Sequence, residues 1–280
     1  MKTILLPVED HSTGTSVIDS AAQLAQIFAS YVEGFALEPD PSLLVSADSF
    51  SGVMVTTGPD PQSSEERVRS CRALFENLMS ARGLARYSDG CAGASFGWHD
   101  SDGATGRDFL GVYARVFDVT VLARPQSVSD GPRMGALEAA LFEGGRPVLL
   151  APPAPPVKLG ENVLIAWNGT PEAARAVAFA KPLLQRARQV VVATVAGGKF
   201  TQPDGRSLLR YLQRNGISSE ARELQPESEA GAAFLAEAAR LGSDLIIKGA
   251  YAQSRLRQMI FGGATRHIVT NAGIPVFLAH

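Results

Sequence analysis

Short apolar runs alternate with longer stretches of helical spacing along the chain, and the alternation is clearest after residue 160. Runs that predict β-strands lie at 162–167, 189–195, 218–224, 244–249 and 274–279. Runs that predict helices lie at 171–187, 205–215, 228–241 and 263–271. Thr170 and Pro171 mark one helix start as N-cap and first helical residue. Because near-continuous apolar runs such as 190–195 are typical of strands buried on both faces, the pattern predicts an α/β fold with doubly wound parallel sheets.

The earlier part of the chain repeats this pattern. Three of its segments match three later segments in the same order, which indicates an internal duplication. The matched pairs are KTILLPVE (2–9) with ENVLIAWN (161–168), DVTVLA (118–123) with DLIIKG (244–249), and GRPVLLA (145–151) with GIPVFLA (273–279).

A proline-rich stretch separates the two copies. Four of the six residues 151–156 are prolines, which favour an extended spacer over a helix or a central strand. We therefore expect a first domain over 1–151, a linker over 152–160 and a second domain over 161–280. Two superimposable layered units are expected, and not one continuous sheet.

The first domain is longer than the second. Its extra residues fall largely in 38–64, which is rich in Pro, Ser, Asp and Gly and predicts a surface loop or flap.

Charge and composition narrow the classes of function. The chain has 280 residues with 26 Lys+Arg against 28 Asp+Glu, a formal net charge of −2. This balance disfavours nucleic acid as the main partner, because binding to the phosphate backbone needs a basic surface.

No apolar run is long enough for a transmembrane helix, and the first residues predict a strand instead of a signal peptide. Cys71 and Cys91 are too few for a disulfide framework, and Cys71, on the helical run 64–79, favours packing over redox chemistry. We expect a cytoplasmic protein.

The segment after the fourth strand of the second domain could hold an anion. In open α/β sheets, ligands bind beyond the carboxyl ends of the strands, where the strand order reverses. Gly249 ends that strand, and Gly262 and Gly263 open a helix whose free N–H groups and dipole can hold a phosphate. Further donors and positive charge could come from Ser254, Arg255, Arg257 and Thr265. The alternative is a plain loop-to-helix turn with the arginines in solvent.

The chain resembles the universal stress protein family in its tandem two-domain form. The resemblance is carried best by VLIAWNGTPEAA (163–174) and by the segment 249–265. It implies an adenine-nucleotide alpha-hydrolase-like fold with five parallel strands in the order 3-2-1-4-5 in each domain. It also implies that the domains pair through their last strands within the chain, and that the protein takes part in a stress response.

Nucleotide-binding members of that family carry G-x2-G-x9-G-[S/T] after the fourth strand and an Asp after the first. Gly249 and Gly262 match this motif. Ala252 stands in the second Gly position, Gly263 in the Ser/Thr position and Asn168 in the Asp position. None of these departures removes a backbone N–H, so binding of ATP, ADP or AMP, with Mg²⁺ accompanying the nucleotide, stays open.

The resemblance also implies a role for each residue of this site. Ala166 and Asn168 would lie near the base and ribose, and Gly249 under the phosphates. The cradle around the phosphates would comprise Gly262, Gly263 and Thr265, with Ala252 in the loop between.

The first domain departs further from the motif. Its equivalent loop lacks a glycine pair, Pro125 and Pro132 lack a donor N–H, and Asp130 would repel a phosphate. Glu9 occupies the acidic position after the first strand. We expect this domain to serve as a pairing partner and scaffold, without binding nucleotide in the family's mode.

Three further patterns each have a chemical and a structural interpretation. G-x-S-x-G at 93–97 suggests a nucleophile elbow, or a third strand with small residues. His99, Asp100 and Asp102 suggest a metal site or an acid–base pair, or a loop in which Asp102 caps a helix. Trp167 could stack on a base, but a place in the core or an interface is favoured.

We interpret the chain as a non-enzymatic universal stress protein, because no nucleophile, base and orienting group can be assembled from the sequence. Weak ATP hydrolysis is left open, as are the protein partners. One alternative is an interaction scaffold that binds no nucleotide, and another is a small-ligand carrier that uses the first-domain cleft. A homodimer is expected.

Overall fold

The computed structural model of the protein describes residues 1–9, 14–38, 61–89, 92–100, 106–126, 131–197, 203–225, 229–250 and 263–280. The strands in these ranges are β1 (Thr3–Val8), β2 (Tyr31–Ala36), β3 (Ala85–Arg86), β4 (Ser95–Trp98), β5 (Val119–Ala123), β6 (Val148–Ala151), β7 (Asn162–Ala166), β8 (Gln189–Val195), β9 (Glu220–Leu224), β10 (Leu245–Gly249) and β11 (Val276–Ala279). The α-helices are α1 (Gly14–Phe28), α2 (Pro61–Ala81), α3 (Arg107–Tyr113), α4 (Gly131–Glu138), α5 (Pro171–Leu184), α6 (Gly205–Arg214), α7 (Ala230–Leu241) and α8 (Gly263–Asn271).

The strand order repeats in the two halves of the chain. The hydrogen-bonded sheet runs β3-β4-β2-β1-β5-β6-β11-β10-β7-β8-β9. Within it, β4-β2-β1-β5-β6 and β9-β8-β7-β10-β11 both follow the order 3-2-1-4-5, and their neighbouring strands are parallel. The two-residue strand β3 is an addition at one edge. The predicted α/β class and doubly wound order are confirmed.

The two half-sheets join where β6 and β11 pair antiparallel, with Leu149 opposite Phe277. All residues of both strands are buried. Pairing through the last strands agrees with the expectation, but the expectation of separate sheets is corrected, since eleven strands form one sheet. The physical reason is that each last strand would otherwise leave its backbone N–H and C=O groups unpaired at an edge.

Helices cover both faces of this sheet, and each face has a core that runs through both halves. One core contains Phe75 of α2 together with Leu208 of α6. The other contains Leu137 of α4 together with Phe234 of α7. The halves are therefore held together by shared cores as well as by the strand pair.

A carboxylate holds the start of the first strand in each half. Asp118 Oδ2 accepts hydrogen bonds from the backbone N–H groups of Lys2 and Thr3, at 2.5 and 3.1 Å. The Asp244 carboxylate accepts from the backbone N–H groups of residues 160–162. Burial raises the pKa of Asp244. At Asp118 burial also acts to raise the pKa, but the backbone bonds together with the charges of the amino terminus and Arg146 lower it overall. This recurrence supports the duplication that the sequence indicates.

Local sequence signals account for several element bounds. Thr170 Oγ1 accepts a hydrogen bond from the backbone N–H of Ala173, and Pro171 opens α5, as predicted.

The loop predicted over 38–64 ends earlier than expected, because Pro61 already opens α2 and proline suits a first helical position. Residues 39–60 lie outside the described residues.

The chain between β6 and β7 forms no helix or strand and lies against α1. Ser16 Oγ donates a hydrogen bond to the Pro152 carbonyl oxygen at 2.6 Å, and Gln23 Nε2 donates to the Pro156 carbonyl oxygen. The proline-rich spacer is thus anchored to the first half. Among the described residues, no helix has both the length and the apolar character needed to cross a membrane.

The paired strands should carry much of the stability. Phe277→Ala removes a fully buried ring from β11 and is expected to lower the free energy of unfolding by about 3–5 kcal/mol. Phe142→Ala is the matched control, because Phe142 is 39% exposed, and its cost should be clearly smaller than that of Phe277→Ala. Urea denaturation measures both values. Equal costs would contradict the conclusion that the fold depends on the pairing of β6 with β11.

Candidate functional site

The strand order of the second half reverses between β7 and β10, and three predicted site residues meet at the carboxyl edge there. Ala166, the last residue of β7, pairs with Lys248 of β10. Gly249 ends β10, and Asn168 follows β7 by two residues. Gly263 opens α8. The register therefore brings the predicted residues of β7 and β10 to one edge.

Two other predicted site residues, Ala252 and Gly262, lie outside the described residues, as do Ser254, Arg255 and Arg257. Thr265, in the first turn of α8, is buried. Farther along that helix, Ile268 packs into the same core as Ala166. Helix α8 thus covers the face of the sheet onto which Ala166 projects.

Asn168 shapes the start of α5. Its Oδ1 accepts a hydrogen bond from Thr170 Oγ1 at 3.0 Å, and Thr170 in turn caps the helix. The carboxamide oxygen is therefore engaged in a local network, in the position where nucleotide-binding relatives of the resembled family carry a carboxylate.

Gly249 is a point of close contact between β10 and α5. A Cβ on Gly249 would lie 2.3 Å from the backbone nitrogen of Ala173 and 2.6 Å from the carbonyl carbon of Glu172. Contacts this short cannot be tolerated, so the position requires glycine. The sequence predicted close approach of a ligand at this residue, whereas the close neighbour in the structure is the first turn of α5.

The amino end of α5 already has a negative charge beside it. Glu172 lies in the first turn, with a side chain that is 13% exposed. Its Oε1 accepts from Arg175 Nη2 at 3.0 Å, and its Oε2 is buried without a hydrogen-bond partner among the residues that the structure describes. A phosphate at this helix end would be repelled by the carboxylate, whereas a ligand hydroxyl could donate to Oε2.

Lys248 is a buried cation at this edge that the sequence analysis did not single out. It is 4% exposed and lies between Ile246 and Ala250, which belong to the core under α7 and α8. No described residue forms a hydrogen bond or ion pair with it. Burial alone lowers the pKa of Lys248 to about 8, so the amine still carries a proton at neutral pH. The available signal was a charge inside the otherwise apolar run LIIKG.

The corresponding cleft of the first half is small. It lies between the ends of β1 and β5, has a volume of about 20 Å³ and is lined in part by Glu9 and Arg133. Arg133 Nε lies 3.8 Å from Glu9 Oε2. That volume has room for about one water, which disfavours a small-ligand carrier using this cleft. Asp130 lies outside the described residues.

The G-x-S-x-G pattern forms part of a strand. Ser95 is the first residue of β4, which lies between β3 and β2, and its backbone N–H donates to the Ser30 carbonyl oxygen at 3.0 Å. A nucleophile elbow requires the serine at a strand-to-helix turn, so the structural interpretation as a third strand is confirmed.

The polar residues after β4 point to different partners. Asp100 accepts from Arg72 Nη1 at 2.9 Å, whereas the His99 ring stacks on Phe109. Among the described residues, no three His, Cys, Asp or Glu side chains form a group that could hold a metal. Gly106 is the N-cap of α3. Asp102, which the sequence offered as a helix cap, lies outside the described residues.

Trp167 and Cys71 belong to the core. Trp167 is 5% exposed, and its Nε1 donates to the Pro203 carbonyl oxygen at 2.8 Å. Cys71 is fully buried and forms no disulfide. Both therefore have the structural roles that the sequence favoured.

The two glycines of the site should respond differently to alanine. Gly249→Ala should lower the free energy of unfolding by about 1–3 kcal/mol, because its Cβ would collide with the α5 backbone. Gly263→Ala should change it by less than about 0.5 kcal/mol, since no atom lies within 4 Å of the added Cβ. Chemical denaturation of both variants tests this contrast, and a silent Gly249→Ala would disprove the close contact.

No protein-family model and no curated protein sequence matches the chain. Solved structures do match along its length. A universal stress protein from Archaeoglobus fulgidus DSM 4304 is 14% identical with a TM-score of 0.74, covering 99% of this chain and 95% of that chain. A functionally unknown protein from Pseudomonas aeruginosa PAO1 is 15% identical with a TM-score of 0.57, covering 100% of this chain and 92% of that chain. A candidate universal stress protein from Pseudomonas aeruginosa UCBPP-PA14 is also 15% identical, with a TM-score of 0.58 and coverages of 100% and 93%.

At these identities the likeness is one of architecture, and it extends over both halves of the chain. The resemblance drawn from the sequence is therefore confirmed for the fold. The chain has the tandem fold of the universal stress proteins.

Proposed function

We propose that this chain is a tandem universal stress protein that binds an adenine nucleotide at the carboxyl edge of β7 and β10. The observation that carries the proposal is Lys248, a buried cation that no described residue pairs with, at the point where the strand order reverses. A ligand phosphate would give its ammonium group the partner that the described residues do not supply.

The charges around the edge favour one placement of the phosphates. Helix α5 already has Thr170 as its cap and Glu172 in its first turn, so its amino end is satisfied. Gly263 at the start of α8 is exposed and has open space around it. Because α8 covers the same face as Lys248, the phosphates would lie between Lys248 and the amino end of α8.

The base and ribose would then lie toward β7. Ala166 ends β7, and Asn168 lies beyond it. The unpartnered Oε2 of Glu172 could accept a hydrogen bond from a ribose hydroxyl. The function so described is binding, with no catalytic step assigned to any residue.

We also propose that residues 1–151 and 161–280 are two domains joined by the linker 152–160. The repeated strand order and the repeated Asp118 and Asp244 anchors support this division. The first domain would complete the sheet and support the second. The homodimer expected from the sequence stays a prediction, and it would need a surface other than β6 and β11, which already pair within the chain.

Nucleotide binding should appear as thermal stabilisation. With ATP, ADP or AMP at ~1 mM and a Kd of ~10 μM, linkage predicts ~2.7 kcal/mol of stabilisation and a rise in Tm of roughly 5–10 °C. Lys248→Met should remove most of this shift for each nucleotide that binds. Lys181→Met on α5 is the matched control and should retain it, because Lys181 contacts Asn215 away from the site.

Melting curves of the full chain with and without Mg²⁺ measure these shifts. If no nucleotide shifts the Tm of the unaltered chain, the interaction-scaffold alternative is favoured. If Lys248→Met keeps the full shift, nucleotide binds without the predicted lysine contact.

The buried lysine should also produce a pH-dependent stability. Its pKa is about 8 in the folded protein and near its ordinary value of 10.5 in the unfolded chain. Between these pH values the unfolded state binds more protons, so stability rises with pH, by an amount on the order of 2–3 kcal/mol. Below pH 8 the full cost of burying the charge remains.

The difference in unfolding free energy between the unaltered chain and Lys248→Met isolates this effect from other titrating groups. Measured by denaturation at pH 7, 8, 9 and 10, the difference should shift steadily in favour of the unaltered chain above about pH 8. A constant difference would show that the amine is not desolvated.

A further inference from the structure

A cavity of about 200 Å³ lies at the carboxyl ends of β5 and β6, beside the start of the linker. It is lined by Arg124, Gln126, Ala151, Pro152 and Pro153. This volume can hold several waters or a small organic molecule. It shares no lining residue with the small cleft between β1 and β5, so it is a separate site on the other side of β5.

The guanidinium of Arg124 is the charged group of this cavity. The backbone N–H of Arg124 donates to the Ala151 carbonyl oxygen at 3.2 Å, which fixes the residue at the end of β5. Its Nε and Nη1 are both shielded from solvent and have no hydrogen-bond partner in the described part of the chain. Burial lowers the pKa of Arg124, and no described carboxylate forms an ion pair with it. An arginine nevertheless remains charged at neutral pH.

Buried, charged donors without acceptors are unfavourable in a folded protein, because they have lost water and gained nothing in exchange. Here Arg124, the residue that carries these two nitrogens, lines a space that can admit an acceptor. The other lining residues include Ala151, Pro152 and Pro153, whose apolar side chains favour an apolar body over a second charge.

We propose that Arg124 is the anchor of a binding site for a small organic oxyanion, a carboxylate or a phosphate monoester. The anion's oxygens would accept hydrogen bonds from Arg124, and its apolar part would contact the prolines. Because the Pro152 carbonyl also accepts from Ser16, an occupied site would contact β5, β6 and the anchored linker together. This proposal does not depend on nucleotide binding, since the two sites lie in different halves of the chain.

The test compares melting curves of the full chain in chloride, acetate and inorganic phosphate at matched ionic strength. At about ten times its Kd, a bound anion should raise the Tm of the unaltered chain by roughly 3–6 °C over chloride. Arg124→Met should abolish this anion-specific shift. In chloride the variant should melt no lower than the unaltered chain, because the change removes an unpaired buried charge.

Arg146→Met is the matched control. Arg146 lies in the same half, and its Nε already donates to the Arg115 carbonyl oxygen, so the anion response should be retained. Phosphate also stabilises proteins in general, and the comparison of the two variants separates that effect from binding at Arg124. A stronger response to acetate than to phosphate identifies a carboxylate ligand, and the reverse identifies a phosphate.

Two results would overturn the proposal. One is that neither acetate nor phosphate raises the Tm of the unaltered chain over its value in chloride. The other is an Arg124→Met variant that melts at a lower temperature in chloride and keeps the full anion response, which would show that Arg124 only packs against its neighbours.

Discussion

The antiparallel pairing of β6 with β11 is the constraint on which the rest of the molecule depends. A parallel half-sheet of five strands ends in a strand with one unpaired backbone edge, and the chain has two such edges to satisfy. Their pairing removes both and lets each hydrophobic core continue from one half into the other. The outer edges that remain are poorly suited to further pairing, since β3 has two residues and β9 carries Glu220, Arg222 and Glu223. One chain therefore forms by itself an assembly that would otherwise need two copies.

Much of this architecture could be predicted because its signals are local. Strands buried on both faces appear as near-continuous apolar runs, so the sequence predicts β8 at its observed bounds, and Thr170 with Pro171 marks the start of α5. The joining of the two half-sheets could not be predicted from such patterns, because hydrophobicity along a strand does not show which edge it will pair with. It entered as an implication of the family resemblance, and the continuous sheet it produces was not expected.

The candidate site was predicted less completely, for a different reason. Motif matching drew attention to Gly249 as a place where a ligand approaches, but the structure shows that its missing side chain makes room for α5. Lys248, one residue earlier, was treated as part of a buried strand. Arg124 lies in a first-domain loop for which the sequence predicts no anion site. A motif records backbone shape, whereas the desolvation of a lone charge depends on atoms from distant parts of the chain, so only the folded structure reveals it.

The antiparallel joint also has a consequence for communication between ligands. The strands of the two halves run in opposite directions, so the edge bearing Lys248 and the edge bearing the Arg124 cavity face away from each other, and no single molecule can bridge them. The intervening path is nevertheless short. Lys248 is the register partner of Leu278, and Leu278 is the register partner of Val148 on β6, the strand that ends at the Arg124 cavity. If a ligand at one site affected binding at the other, the effect would therefore have to be transmitted through the interior of the protein, as a small shift in strand register or twist.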